Sequence, residues 1–88
     1  VCGTHTHIQT ADEMIKDHRA FISDVGMCGP IDSILGRDID EVINKTIYHE
    51  KTYFTPADGK GIICGVVIDV DEQTCNAINI ERIQIRDI

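Results

Sequence analysis

His5 and His7 are the residues of this chain whose type and spacing suggest chemistry most directly. They form a His-x-His pair immediately after Val1-Cys2-Gly3, which reads as the tail of a strand whose beginning lies elsewhere. Ligands in α/β proteins gather at the carboxyl ends of strands, so position and residue type agree. On an extended segment two imidazoles two residues apart point the same way and can share one cation, while on a loop they can reach two adjacent ones. A pair does not close a metal site, because zinc takes three or more protein ligands and dinuclear hydrolase sites need carboxylates as well. The competing reading is a pair of ordinary surface histidines hydrogen-bonded to Thr4 and Thr6.

The remaining candidates weigh less. Asp24 and Asp32 flank a glycine turn and could touch the substrate or the groups behind a metal ligand, but an aspartate beside glycines is more often a turn former, so neither is assigned a catalytic role. His18, among Lys16, Asp17 and Arg19, reads as a solvated turn residue, and His49 falls at a helix end, where a partly cationic imidazole suits the dipole. Cys28 lies near a turn but has no histidine neighbour to activate it.

These residues need elements to position them. Gln9 to Met14 is polar and mildly helical, and Lys16 to Arg19 is a charged turn ahead of Ala20 to Val25, an apolar run of strand length. Gly26-Met27-Cys28-Gly29-Pro30 then forces a turn that can carry positive φ. Asp38-Ile39-Asp40-Glu41 has the spacing of a capping box, which predicts a helix from Ile39 to about Tyr48 or His49. Ile39, Val42, Ile43 and Ile47 give that helix an apolar face. Tyr53 to Thr55 reads as a short strand, Pro56 to Gly61 as a turn, and Ile62 to Val70 as a β-branched strand. Asp71 to Thr74 makes a hairpin connection to a returning strand, whose alternation of Ile78 and Ile80, then Ile83 and Ile85, changes phase at Glu81-Arg82 and predicts a bulge. The class is α/β.

With 88 residues, the chain holds at most one domain. It is 42% hydrophobic, which excludes global disorder, and its formal net charge of −7 disfavours nucleic-acid polymers and anionic membranes as partners. No run approaches the roughly 18 apolar residues of a spanning helix, and no signal peptide is visible, so the cytoplasm is the expected location. Cys2, Cys28, Cys64 and Cys75 contain no Cys-x-x-Cys pair and read as free, partly buried thiols.

The string decides more than the spacing. Gly3-Thr4-His5-Thr6-His7-Ile8-Gln9-Thr10-Ala11-Asp12-Glu13, then Ile22-Ser23-Asp24-Val25-Gly26-Met27-Cys28-Gly29-Pro30-Ile31-Asp32-Ser33 and Gly36, closely resembles the C-terminal third of the YmdB-type metallophosphoesterases. Gly65 to Asp71 and Ile80 to Ile83 resemble that family's closing hairpin, so the likeness runs nearly from end to end. The family comprises dinuclear phosphodiesterases of the calcineurin-like superfamily that act on cyclic nucleotides. The resemblance implies the C-terminal portion of a calcineurin-like two-sheet sandwich, with one capped helix near 39–48 and a C-terminal β-hairpin, residues 1–88 forming a single fragment of that domain. It implies that His5 and His7 each ligate one of two divalent cations, iron or manganese before zinc. Thr4 and Thr6 would orient the rings, and a metal-bridging hydroxide would attack phosphorus.

The family's other ligands, and the histidine that protonates the leaving alkoxide, map to segments before Val1. The resemblance therefore implies an isolated chain without a complete centre, inactive alone, whose partners are a small phosphodiester and the N-terminal segment of the same enzyme. An uncovered sheet edge would favour self-association into a homo-oligomer. One departure stands out: Cys28 occupies a turn position where threonine is usual, which removes a strong hydroxyl partner. Two other classes compete. A non-catalytic binding module would ignore metal, and an amidohydrolase-type barrel would open, rather than close, a chain of a few hundred residues with its His-x-His.

Overall fold

The computed structural model describes residues 1–87 of the 88. In chain order the elements are β1 (Met14–Lys16), β2 (Arg19–Phe21), β3 (Cys28–Pro30), α1 (Ile39–Thr46), β4 (Gly61–Val70) and β5 (Ala77–Arg86). The class is α/β, with one helix and a C-terminal pair of ten-residue strands, as the sequence leads one to expect. β1 and β2 form a two-stranded sheet, and a three-stranded sheet has the order β3-β4-β5. The chain divides into two compact units, one of Val1–Cys28 with Ile63–Ile85 and one of Gly29–Ile62 with the residues from Arg86 onward.

In the first unit, β1 and β2 are antiparallel, pairing Met14 with Phe21, Ile15 with Ala20 and Lys16 with Arg19. This corrects the helical reading of Gln9 to Met14, whose last residue opens a strand. The charged turn is where it was expected. Asp17 and His18 take φ of 50° and 63°, the two left-handed residues of a type I′ turn, whose twist matches the flanking strands. Beyond β2 the burial alternates, with Ala20, Ile22 and Asp24 turned inward and Phe21 and Ser23 exposed. Ile22 is completely buried, a burial that stabilises by about 2 kcal/mol. The segment at Cys2 pairs with Ile22 as a parallel bridge, consistent with a strand tail at the start of the chain. Gly26 adopts φ 88°, and a Cβ there would come within 2.7 Å of the Cys64 Cβ, so glycine is required on both counts. The expected turn through Pro30 is shorter than predicted, because Cys28 to Pro30 is already β3. Proline fits there because β3 ends the strand order.

β5 runs unbroken through Glu81-Arg82, with Ile80 and Ile83, three residues apart, both half-buried. The change of phase thus persists in the burial without interrupting the strand. Its connection from β4 is held by Asp71, whose Oδ1 accepts from the amides of Gln73 at 2.8 Å and Thr74 at 3.1 Å. These amides, Thr74 first, hold the Asp71 carboxyl below its usual range. The four cysteines are free thiols, and Cys2, Cys28 and Cys75 are exposed rather than partly buried.

In the second unit Asp38 caps α1, its carboxylate accepting from the Glu41 amide at 3.1 Å. Only half of the capping box forms. The Asp38 amide donates to the Thr55 carbonyl at 2.8 Å, and Glu41 instead grips the Arg37 guanidinium through both oxygens, at 2.8 and 3.1 Å. The helix ends at Thr46, short of the expected Tyr48 or His49, and its apolar residues are half-buried or exposed. Tyr53 to Thr55 form no strand. Phe54 receives the Arg37 guanidinium 4.1 Å from its ring centroid and the Lys45 ammonium at 5.4 Å, while the backbone pairing beside it is confined to an isolated bridge of Pro56 with Arg37.

Candidate metal-binding loop

The His-x-His pair is held in the first unit by a parallel approach of two backbones. Ile22 donates its amide to the Val1 carbonyl at 3.0 Å, Gly3 to the Ile22 carbonyl at 3.3 Å, and Val25 to the Gly3 carbonyl at 3.0 Å. The approach needs glycine at position 3, since a Cβ there would sit 2.1 Å from the Ser23 carbonyl oxygen. The chain then leaves the pairing and bends through residues 5–8, so His5 and His7 stand on a loop and not on an extended segment.

Asp24 organises this loop. Its Oδ2 accepts from the His5 amide at 2.9 Å, the Thr6 amide at 2.7 Å and the Thr6 hydroxyl at 2.7 Å, while Oδ1 accepts from the Gly26 amide at 2.9 Å. Only 3% of Asp24 is exposed, yet these donors satisfy the charge. The His5 amide, the Thr6 hydroxyl and the Gly26 amide, in that order, hold its carboxyl well below the usual carboxylate range against the opposing effect of burial. The Thr6 hydroxyl also accepts from the Ile8 amide at 3.2 Å. Thr6 therefore shapes the backbone instead of orienting a ring, which corrects the expectation for that residue. His7 takes φ 65°, a left-handed conformation that costs a non-glycine residue energy and that the surrounding bonds must impose.

Downstream, Gln9 ties the loop to the sheet. Its Nε2 donates toward the carbonyls of Gly65 at 3.0 Å, Ile83 at 3.2 Å and Val25 at 3.3 Å. Thr10 reinforces Asp24 itself, its amide donating to the Asp24 carbonyl and its hydroxyl accepting from the Asp24 amide, both at 3.0 Å. Asp12 receives the hydroxyls of Ser23 and Thr10 and the Ser23 amide, which bring its carboxyl down to about 2.

Both imidazoles are exposed. As a donor set, two exposed imidazoles on a tethered loop suit a divalent transition metal. Among the described residues, no group of three or more His, Cys, Asp and Glu is arranged to hold a metal ion. Cys28 is exposed, with the Cys64 carbonyl 4.0 Å from its sulfur, a weak contact in place of a hydroxyl bond. Asp32, His18 and His49 are exposed, the last with φ 56° beyond the helix end. Sequence reasoning named Asp24 but set it aside as a turn former, and it missed Gln9. The signal for Asp24 was available, because a carboxylate at the inward position of the Ala20, Ile22, Asp24 alternation must be paired if it is buried.

The sequence matches the YmdB-like protein family over residues 1–83. It is 51% identical over 88 residues to the 2',3'-cyclic-nucleotide 2'-phosphodiesterase of Bacillus subtilis strain 168, covering 99% of this chain and 33% of that protein. The fold is similar to a Mycoplasma pneumoniae protein solved as a novel phosphatase, with a TM-score of 0.90 and 34% identity over 97% of this chain and 31% of that one. It is equally similar in fold, at TM-score 0.90 and 23% identity, to a hypothetical protein of Thermus thermophilus, covering 99% of this chain and 34% of that one. The chain spans about a third of the length of the curated relatives it matches. No helix among the described residues is long and apolar enough to cross a membrane. The family match over residues 1–83, with 51% identity to the Bacillus protein across this chain, shows that this chain belongs to the YmdB-like family.

Proposed function

We propose that this chain forms part of a dinuclear phosphodiesterase acting on cyclic nucleotides, in which His5 and His7 each ligate one of two divalent cations, iron or manganese before zinc. The observation that carries the reading is the loop itself. A buried carboxylate, Asp24, spends three of its four hydrogen bonds fixing a segment that leaves two imidazoles exposed. The name of the Bacillus relative supplies the substrate class. When bound, such metals act as Lewis acids that neutralise charge on the phosphoryl oxygens. The chain's own contribution is positional. His5 and His7 offer imidazole nitrogens, and the Asp24 and Gln9 bonds hold the backbone segment from which those rings depart.

Neither histidine is assigned the proton that goes to the leaving alkoxide. The remaining ligands and that acid belong, on this reading, to the other two thirds of the enzyme. The four thiols suit a reducing compartment, and we place the protein in the cytoplasm.

The test uses the whole polypeptide that carries this sequence, with its metal content measured and hydrolysis of bis-p-nitrophenyl phosphate and 2',3'-cyclic nucleotides followed in manganese. His5→Ala and His7→Ala should each lower kcat/KM by at least about 100-fold and reduce retained metal. Wild-type turnover and metal content in both variants would sink the proposal in favour of a binding module.

A further inference from the structure

We infer that Asp24 is a positioning residue for metal binding: it sets the placement of the His5 and His7 imidazoles by holding their backbone, without touching a metal itself. The inference rests on the ligand roles proposed above and adds a residue to them. Asp24 stands 19 positions from His5, yet it is the buried charged side chain among the described residues, and the amides it accepts from belong to His5 and the residue between the two histidines. Fixing two successive amides at 2.9 and 2.7 Å on one oxygen fixes the two peptide planes that flank the His5 Cα, from which its side chain departs. The third bond, from the Thr6 hydroxyl at 2.7 Å, locks the intervening side chain, and that hydroxyl in turn accepts the Ile8 amide. The Ile8 amide bond holds the peptide that follows His7, and between it and the fixed Thr6 side chain His7 takes its left-handed φ of 65°.

The chemistry of the carboxylate is specific to this task. An asparagine presents one acceptor and one donor, so whichever way it turns, its amine meets an N–H. With its oxygen toward His5 and Thr6 it faces the Gly26 amide with a donor, and reversed it faces three donors at once. Groups that orient ligands in this way typically change metal affinity by about 10–100-fold when replaced.

The test follows metal directly in the whole polypeptide. Cobalt(II) and manganese(II) affinities are measured by equilibrium dialysis with elemental analysis, and the cobalt absorption bands report the ligand geometry. Asp24→Asn should weaken retained metal by about 10–100-fold and shift the cobalt bands while still melting cooperatively. Thr6→Val, which deletes the hydroxyl's bonds to Asp24 and from the Ile8 amide at nearly constant shape, should move both readouts the same way, and Thr6→Ser should restore them. Should Asp24→Asn fail to fold, the Thr6 pair decides, because a merely structural role would lower the melting temperature without moving the cobalt spectrum. Wild-type affinity and spectrum in Asp24→Asn and Thr6→Val, alongside metal loss in His5→Ala, would overturn the role of Asp24 and leave the ligand assignment standing. Wild-type metal binding in His5→Ala and His7→Ala would remove the ligand assignment and the positioning role with it.

Discussion

His7 is where the cost of the loop is concentrated, since its φ of 65° lies in a region that L-residues with a Cβ avoid. Replacing it separates ligand from backbone. His7→Gly removes the imidazole and relieves the strain, whereas His7→Ala removes the imidazole and keeps it, so the glycine variant should be the more stable by about 1 kcal/mol in urea denaturation. Equal stabilities would mean that the left-handed backbone is not held in solution. Asp12 gives a second residue-scale expectation. The Ser23 hydroxyl, the Thr10 hydroxyl and the Ser23 amide lower its carboxyl from 3.8 to about 2. A carboxyl depressed in the folded state contributes stability that is complete above its unfolded value and is lost as pH falls through its folded value. Melting temperature should therefore decline between pH 4 and about 2, and Asp12→Asn should flatten that limb only in part, because Asp24, Glu41 and Asp71 are shifted the same way. A variant whose acid limb overlays that of the wild type would discount the Asp12 bonds.

The helix shows what local sequence can specify. Asp38 was legible as its cap because the bond it makes spans three residues, to the Glu41 amide, and Asp38→Ala should lower stability by about 1 kcal/mol in chemical denaturation. An unchanged midpoint would show that the Thr55 carbonyl bond to the Asp38 amide is sufficient to start the helix. The pair β4 and β5 was legible for a similar reason, since β-branched runs flank a turn closed by Asp71 on its own neighbours. What escaped was non-local or atypical. β1 is hidden because Gln9 to Met14 ahead of the turn is polar and mildly helical, with no alternating apolar run to mark a strand. Tyr53 to Thr55 looks like a strand by composition, but the backbone pairing beside it is an isolated bridge of Pro56 with Arg37. His5 and His7 stand out as candidates by their spacing and family motif, while Asp24 cannot be joined to them until the backbones of Gly3 and Ser23 are seen to meet.

At the scale of the whole chain the balance of burial is the governing quantity. Among the described residues the buried hydrophobic side chains are Ala20 and Ile22, while Ile78 and Ile85 of β5 remain 62% and 58% exposed. Ordering a residue costs about 1.5 kcal/mol in conformational entropy, so a core of this size leaves the 88-residue chain little margin on its own. β5 also ends the strand order β3-β4-β5, which presents a ten-residue edge with exposed isoleucines to any matching strand. The chain produced alone should therefore unfold broadly, with a calorimetric enthalpy well under the roughly 60 kcal/mol of an ordinary domain this long. It should also associate with increasing concentration in sedimentation velocity. Ile85→Lys places a charge on the edge and should reduce that association while leaving the melting profile in place, since Ile85 is exposed. A sharp transition of full enthalpy from a chain that stays monomeric at hundreds of micromolar would show instead that the half-buried residues of β4, β5 and α1 suffice as a core.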